Sequence, residues 1–161
     1  MQNFYTKKLS ETRGMTVIEL LVVVVVIGIL LLITLPQFFK IRERQMVKNA
    51  VAEILSSLGK ARSQTLSSLN SSEYGVRFES NQVIIFKGKT FSSGAPDNEV
   101  ANITSPASIT SVTLSGVSGG SGDMYFNRLS GVPSKTGTIT ISASSNSKII
   151  TISATGTVSS N

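Results

Sequence analysis

Glu19 is the one ionisable side chain between Gly14 and Pro36. It stands five residues after the glycine, at the head of a run that holds only Leu, Val, Ile and a single Gly from position 20 to 33. A charge at the centre of a membrane helix costs on the order of 2.5–3.5 kcal/mol on insertion scales, and less near the interface. No cation adjoins Glu19 in sequence. The chemistry open to it is therefore ionic: pairing in low dielectric with a positive group supplied from elsewhere, an arrangement that specifies register more reliably than it adds stability. Gly14 offers chemistry of another kind. A peptidase needs an extended, uncluttered backbone at its cut, and glycine gives access without a side chain.

Other residue sets with chemical meaning are weaker. There is no Cys and no His, which removes disulfides, thiol catalysis and cysteine-ligated metals as well as the commonest general base. Ser57-Leu58-Gly59-Lys60 and Lys135-Thr136-Gly137 match two motifs of serine acyl-transfer enzymes. The accompanying Ser-Asp-Asn element is missing, and Leu58 belongs to an apolar helical stripe. Asp97, Asn98, Glu99 and Asp123 could supply oxygen ligands to calcium, but their spacing is not that of an EF-hand, so a solvated loop is the expectation. Asn70-Ser71-Ser72 and Asn102-Ile103-Thr104 are formal glycosylation sequons without further support. Lys148, Lys135 and Arg128 with Tyr125 and Phe126 could form a small patch where bases stack on aromatic rings. No catalytic set, no metal site and no cofactor is expected, and the chain does not read as an enzyme.

The elements that must hold these residues follow from periodicity. From Met15 to Leu35 a helix rising roughly 1.5 Å per residue covers about 30 Å, the thickness of a bilayer's hydrocarbon core. Residues 1–14 read as a basic leader and 15–36 as the membrane-spanning helix. Pro36 lies inside the helical pattern as a kink position, because it removes one backbone bond and crowds the preceding turn. Over 37–70 the helix continues in amphipathic form. Val47, Val51, Ile54, Leu58 and Ala61 recur at helical spacing, and Lys48, Glu53, Lys60 and Arg62 take the other side. Such a stripe needs a cover, and the sheet of the same chain is the economical one.

Residues 71–161 form the fourth region, an antiparallel β head. Tyr74, Val76 and Phe78 alternate with Gly75, Arg77 and Glu79, which predicts a half-buried strand returning as 82–87 after a turn at Asn81. Gly88–Asn98 reads as a loop. Strands are expected at 99–104, 108–115 and 124–127, with 116–123 a flexible loop rich in Gly and Ser. Residues 138–143 and 148–153 give the clearest hairpin, and 154–158 a final edge strand. The fold class is thus α+β: one long N-terminal helix, with the sheet packed on its second half.

The net charge of +6 is unevenly placed. The leader carries +2 and the segment from Lys40 to Arg62 carries +4, while residues 63–161 are close to neutral. The excess sits beside the apolar run, where Lys and Arg attract anionic lipid headgroups. Both flanks are basic, so the positive-inside rule does not orient the span. A secretory signal peptide would also start basic and apolar. This run is too long for one, contains Glu19, and is not followed by a small-residue cleavage site.

A basic leader ending in Gly14, then Met15, Thr16 and Glu19 inside a long apolar helix with Gly28 and Pro36, resembles the class III signal of type IV pilins and type II secretion pseudopilins. The ending 137–141 and 149–156, with the stem Ala61-Arg62-Ser63-Gln64-Thr65-Leu66, is similar to the GspH/FimT group of minor pseudopilins. The resemblance implies a pilin-like fold, cleavage between Gly14 and Met15 by a prepilin peptidase, and N-methylation of Met15, where Met replaces the more usual Phe. It implies contact between Glu19 and the N-terminal amine of a neighbouring subunit. The expected partners are the prepilin peptidase/N-methyltransferase, other pilins or pseudopilins, an inner-membrane assembly platform and membrane lipids. The expected place is the bacterial cytoplasmic membrane, single-pass, with the N-terminus cytoplasmic and the head outside, and then a filament. The function implied is a minor pseudopilin or pilin. The alternative is a DNA-binding minor pilin of a competence system. Members that take up DNA resemble one another in a basic tail after the final Gly, and here Gly156 is followed by Thr157, Val158, Ser159, Ser160 and Asn161.

Overall fold

The computed structural model describes residues 14–144 and 146–161, so the leader expectation for residues 1–13 lies outside the described part. Helix α1 runs Val17–Leu66 and contains Pro36. Proline has no N–H, so the carbonyl of Leu32 lacks its helical donor. The chain divides into two compact units, one reaching Phe39 and the other Lys40–Asn161.

In the second unit, α1 residues Val47, Ala50, Val51, Ile54, Leu58 and Ala61 are buried. Their spacing of three, four and seven is that of one helix face. They meet a head in which the described residues form nine strands: β1 (Tyr74–Glu79), β2 (Gln82–Lys87), β3 (Glu99–Asn102), β4 (Ser108–Leu114), β5 (Val117–Gly119), β6 (Gly122–Tyr125), β7 (Gly137–Ala143), β8 (Asn146–Ile152) and β9 (Val158–Ser160). The strands form two sheets, ordered β3-β2-β1-β6 and β5-β4-β7-β8-β9, and every described pairing between strands is antiparallel. The α+β expectation holds, with the head in two sheets. Both contribute to a single core with α1, through Val76, Phe78, Val83 and Ile85 on one side and Ile109, Val112, Ile139, Ile141, Ile150 and Ile152 on the other.

The 116–123 segment is not the flexible loop expected. Ser115 and Gly116 both take positive φ, 51° and 80°, the signature of a two-residue type I′ hairpin. Val117 then pairs with Leu114, and β5 and β6 form within the Gly/Ser-rich stretch. The last strand is also displaced, to Val158–Ser160. Residues 153–157 form a turn instead, closed by the Ser153 N–H to the Thr157 carbonyl at 3.0 Å and by Ser153 Oγ against Thr157 Oγ1 at 2.6 Å.

In β2 four consecutive apolar residues, Val83 to Phe86, are all buried, so both faces of this strand are covered. Val83 and Ile85 face the core, while Phe86 meets Phe91 of the following loop edge-on at 5.6 Å. Gly75 is required beside it, because a Cβ there would lie 2.3 Å from Phe86.

Thr65 is fully buried near the end of α1. Its hydroxyl donates to the Ala61 carbonyl at 2.9 Å and accepts the Tyr74 N–H at 3.0 Å, tying helix end to sheet start. Thr65→Val keeps the shape and leaves a buried N–H unpaired. The expected loss is about 1–3 kcal/mol, read as a lower midpoint in thermal or denaturant unfolding.

Candidate functional site

The residues singled out at the N-terminal end sit at the start of α1. Gly14 and Met15 are exposed and precede the helix, and among the described residues a side chain at Gly14 would meet nothing within 4 Å. Thr16 caps the helix: its Oγ1 accepts the Glu19 N–H at 3.3 Å, and its carbonyl accepts the Leu20 N–H at 3.1 Å. Thr16-Val17-Ile18-Glu19 has the spacing of a capping box, a signal that the sequence carries and that the expectations above did not include. It fixes where the helix begins and places Glu19 in the first turn, where the helix dipole favours a negative charge. Among the described residues Glu19 forms no ion pair.

From Val17 the helix presents its apolar side chains outward, with Val17 82 % and Leu32 76 % exposed. Its most apolar window has a mean hydropathy of 3.2, and none of that window is buried against the chain. Thr34, the polar residue near the far end of the run, satisfies its hydroxyl internally by donating to the Leu30 carbonyl at 3.0 Å. The uncovered apolar side chains and the internally bonded Thr34 suit hydrocarbon, where polar groups must find partners within the segment; Glu19 is the exception. The segment fits a single-pass membrane anchor.

The remaining candidate sets are not assembled. Lys60 bonds Glu99 on β3, while Lys135 donates to the Asp123 carbonyl at 2.8 Å beside β6. β3 and β6 are opposite edges of one sheet, so the Ser57/Lys60 and Lys135 motifs belong to separate places, and Ser57 is buried. The same topology separates Glu99 from Asp123, which breaks up the calcium ligand set. Asp123 instead lies 3.5 Å from the Arg77 guanidinium. The stacking patch fails as well. Phe126 is fully buried, the Lys89 ammonium lies over the Tyr125 ring at 5.9 Å, and Arg128 donates to the Ser71 carbonyl at 2.9 Å.

Among the described residues, Glu99 has a shifted ionisation. The hydrogen bond from Lys60 holds its carboxyl below the usual value, aided by the Lys60 charge and by Gln64 and opposed by partial burial. A depressed folded-state pKa contributes stability above the unfolded-state pKa, and that contribution disappears as pH falls through the folded value. Both side chains are about half exposed, so the pair contributes no more than about 1 kcal/mol. Glu99→Gln should lower the unfolding midpoint slightly at pH 7 and have no effect well below the carboxylate range, as checked by unfolding across pH.

The family model described as type II transport protein GspH matches residues 50–156. Comparison with curated proteins gave no match, and comparison with solved structures gave none either. The matched span runs from the buried half of α1 to Gly156 and does not reach Gly14, Met15, Glu19 or Pro36. It coincides with the single core that α1 shares with both sheets. It also contains the hairpin and the stem residues whose resemblance pointed to this group. A match over well over half of the chain, on a long helix joined to an antiparallel β head, establishes that the protein belongs to the GspH family of pseudopilins.

Proposed function

We propose that the chain is a minor pseudopilin, a structural subunit of a type II secretion filament. The supporting observation is the pairing of a GspH-family head with a helix whose first half is apolar, uncovered by its own chain and marked by one carboxylate, Glu19. In this reading the leader is removed between Gly14 and Met15 by the prepilin peptidase, and the new amine at Met15 is methylated. The N-terminus faces the cytoplasm and the head lies outside. The helix first resides in the cytoplasmic membrane and is then drawn into a bundle of sister helices, with Pro36 as its bend. Side chains that satisfy lipid also satisfy a helix bundle, so one surface serves both stages. Glu19 pairs with the Met15 amine of an adjacent copy, which fixes register. The DNA-binding alternative gains no support, because Phe126 is buried, Arg128 and Lys135 are held by backbone carbonyls, and no cation follows Gly156.

Glu19→Ala should leave the head folded and the protein in the membrane while lowering its recovery in sheared filaments at least about tenfold, as a lost charge pair of about 1.4 kcal/mol or more would require. Recovery at the parental level would count against the pairing. Gly14→Ile should give a precursor that retains residues 1–14. Intact-mass measurement on protein from a host with the peptidase reads this directly, and trimming of the Gly14→Ile variant would place the cut elsewhere.

A further inference from the structure

We propose that Arg44, Lys48 and Lys148 form a binding site for the phosphate of an anionic phospholipid headgroup. The proposal deepens the membrane-anchored reading above and rests on it. The three cations line one pocket of about 180 Å³ with Val47, Asn146 and Ser147. Arg44 and Lys48 come from α1, and Lys148 comes from β8, across from Ile141 of β7. Among the described residues none of the three forms an ion pair, and neither do Lys40 and Arg42 just before them.

The cluster is held in place rather than scattered. Ser144 Oγ donates to Glu43 Oε1 at 2.9 Å, pinning the end of the β7–β8 hairpin to α1. That bond occupies one oxygen of Glu43, the residue before Arg44, and holds the hairpin that carries Lys148 against the helix. Arg44 and Lys48 stand four residues apart, where like charges on a helix face repel. A third cation from another element adds to that cost, which an anion seated between them would offset. The Asn146 amide and the Ser147 hydroxyl supply neutral donors suited to phosphate oxygens.

The location favours a lipid over other phosphates. Arg44 follows Leu35, the last residue of the apolar run, by nine positions. Just before Arg44 in sequence, Phe38, Phe39 and Ile41 are 57–65 % exposed and are interleaved with Lys40 and Arg42. Aromatic, apolar and cationic residues mixed in this way suit the headgroup layer.

The test uses the full chain in neutral detergent. It is titrated with short-chain phosphatidylglycerol, short-chain phosphatidylcholine, inorganic phosphate and a short DNA duplex, with binding read by thermophoresis. Phosphatidylglycerol should bind in preference to the rest. Lys148→Gln should weaken it about fivefold, and the Arg44→Gln/Lys48→Gln/Lys148→Gln variant on the order of a hundredfold. Lys87→Gln, which removes an exposed unpaired cation from β2, should leave it unchanged. Matching melting curves exclude misfolding as the cause. Equal losses in the Lys148 and Lys87 variants would overturn the site in favour of diffuse charge. Equal binding of phosphatidylcholine, competition by inorganic phosphate at the lipid's own concentration, or tighter binding of the duplex would each overturn it as well. Flotation with neutral vesicles separates the two levels. Protein that floats without a phosphatidylglycerol preference overturns this site alone, and protein that does not float overturns the anchoring itself.

Discussion

Water is a poor solvent for the first half of α1, and nothing among the described residues shields it. Over Val17–Leu35 the helix turns apolar side chains outward on every side. At about 25 cal/mol per Å² of apolar surface, leaving such a helix in water is a far larger cost than any single contact in the head can offset. The helix must be solvated by lipid or by other helices, and this requirement shapes the rest of the molecule. The capped start at Thr16, the internally bonded Thr34 and a Glu19 without an ion pair among the described residues all belong to this uncovered segment.

The second half of α1 meets the opposite condition. Its apolar stripe from Val47 to Ala61 is buried under two sheets that share one core with it. Thr65 and the residues around Tyr74 lock the end of the helix to the first strand. Arg62 adds bonds to the carbonyls of Gly131 and Thr155. One continuous helix thus serves both as the unsolvated rod and as a structural member of the head. Among the described residues, 23 buried residues of α1 and the β head form this core.

Much of this was legible beforehand because the signals were local. A run of only Leu, Val, Ile and Gly has one physical reading. The stripe from Val47 to Ala61 has helical period, and the 138–143 and 148–153 segments alternate cleanly. Their pairing in the structure places Ile139 against Ile150 and Ile141 against Lys148. What escaped was non-local or masked by composition. The Gly/Ser-rich stretch after Leu114 looked like a loop because glycine weakens strands. Yet the Ser115-Gly116 turn returns it along β4, which supplies the ladder that its own residues do not call for. Separation into two sheets depends on which strands meet, and β6 crosses back to β1 over a long interval. Phe86 gave a hint of its second covered face, since four apolar residues in succession do not fit a half-exposed strand. At the candidate site, the Thr16–Glu19 capping spacing was present in the sequence, whereas the hairpin that carries Lys148 to Arg44 required the tertiary fold.

The five-stranded sheet ends on both sides in a strand of three residues, β5 and β9. An open edge is a template on which another chain can extend the ladder, and brevity is one way to blunt it. Two stubs of this length offer a neighbour few backbone groups to grip. Molecules crowded shoulder to shoulder can therefore touch through their side surfaces without zipping into continuous cross-β aggregates, so the fold keeps its heads discrete at high local density.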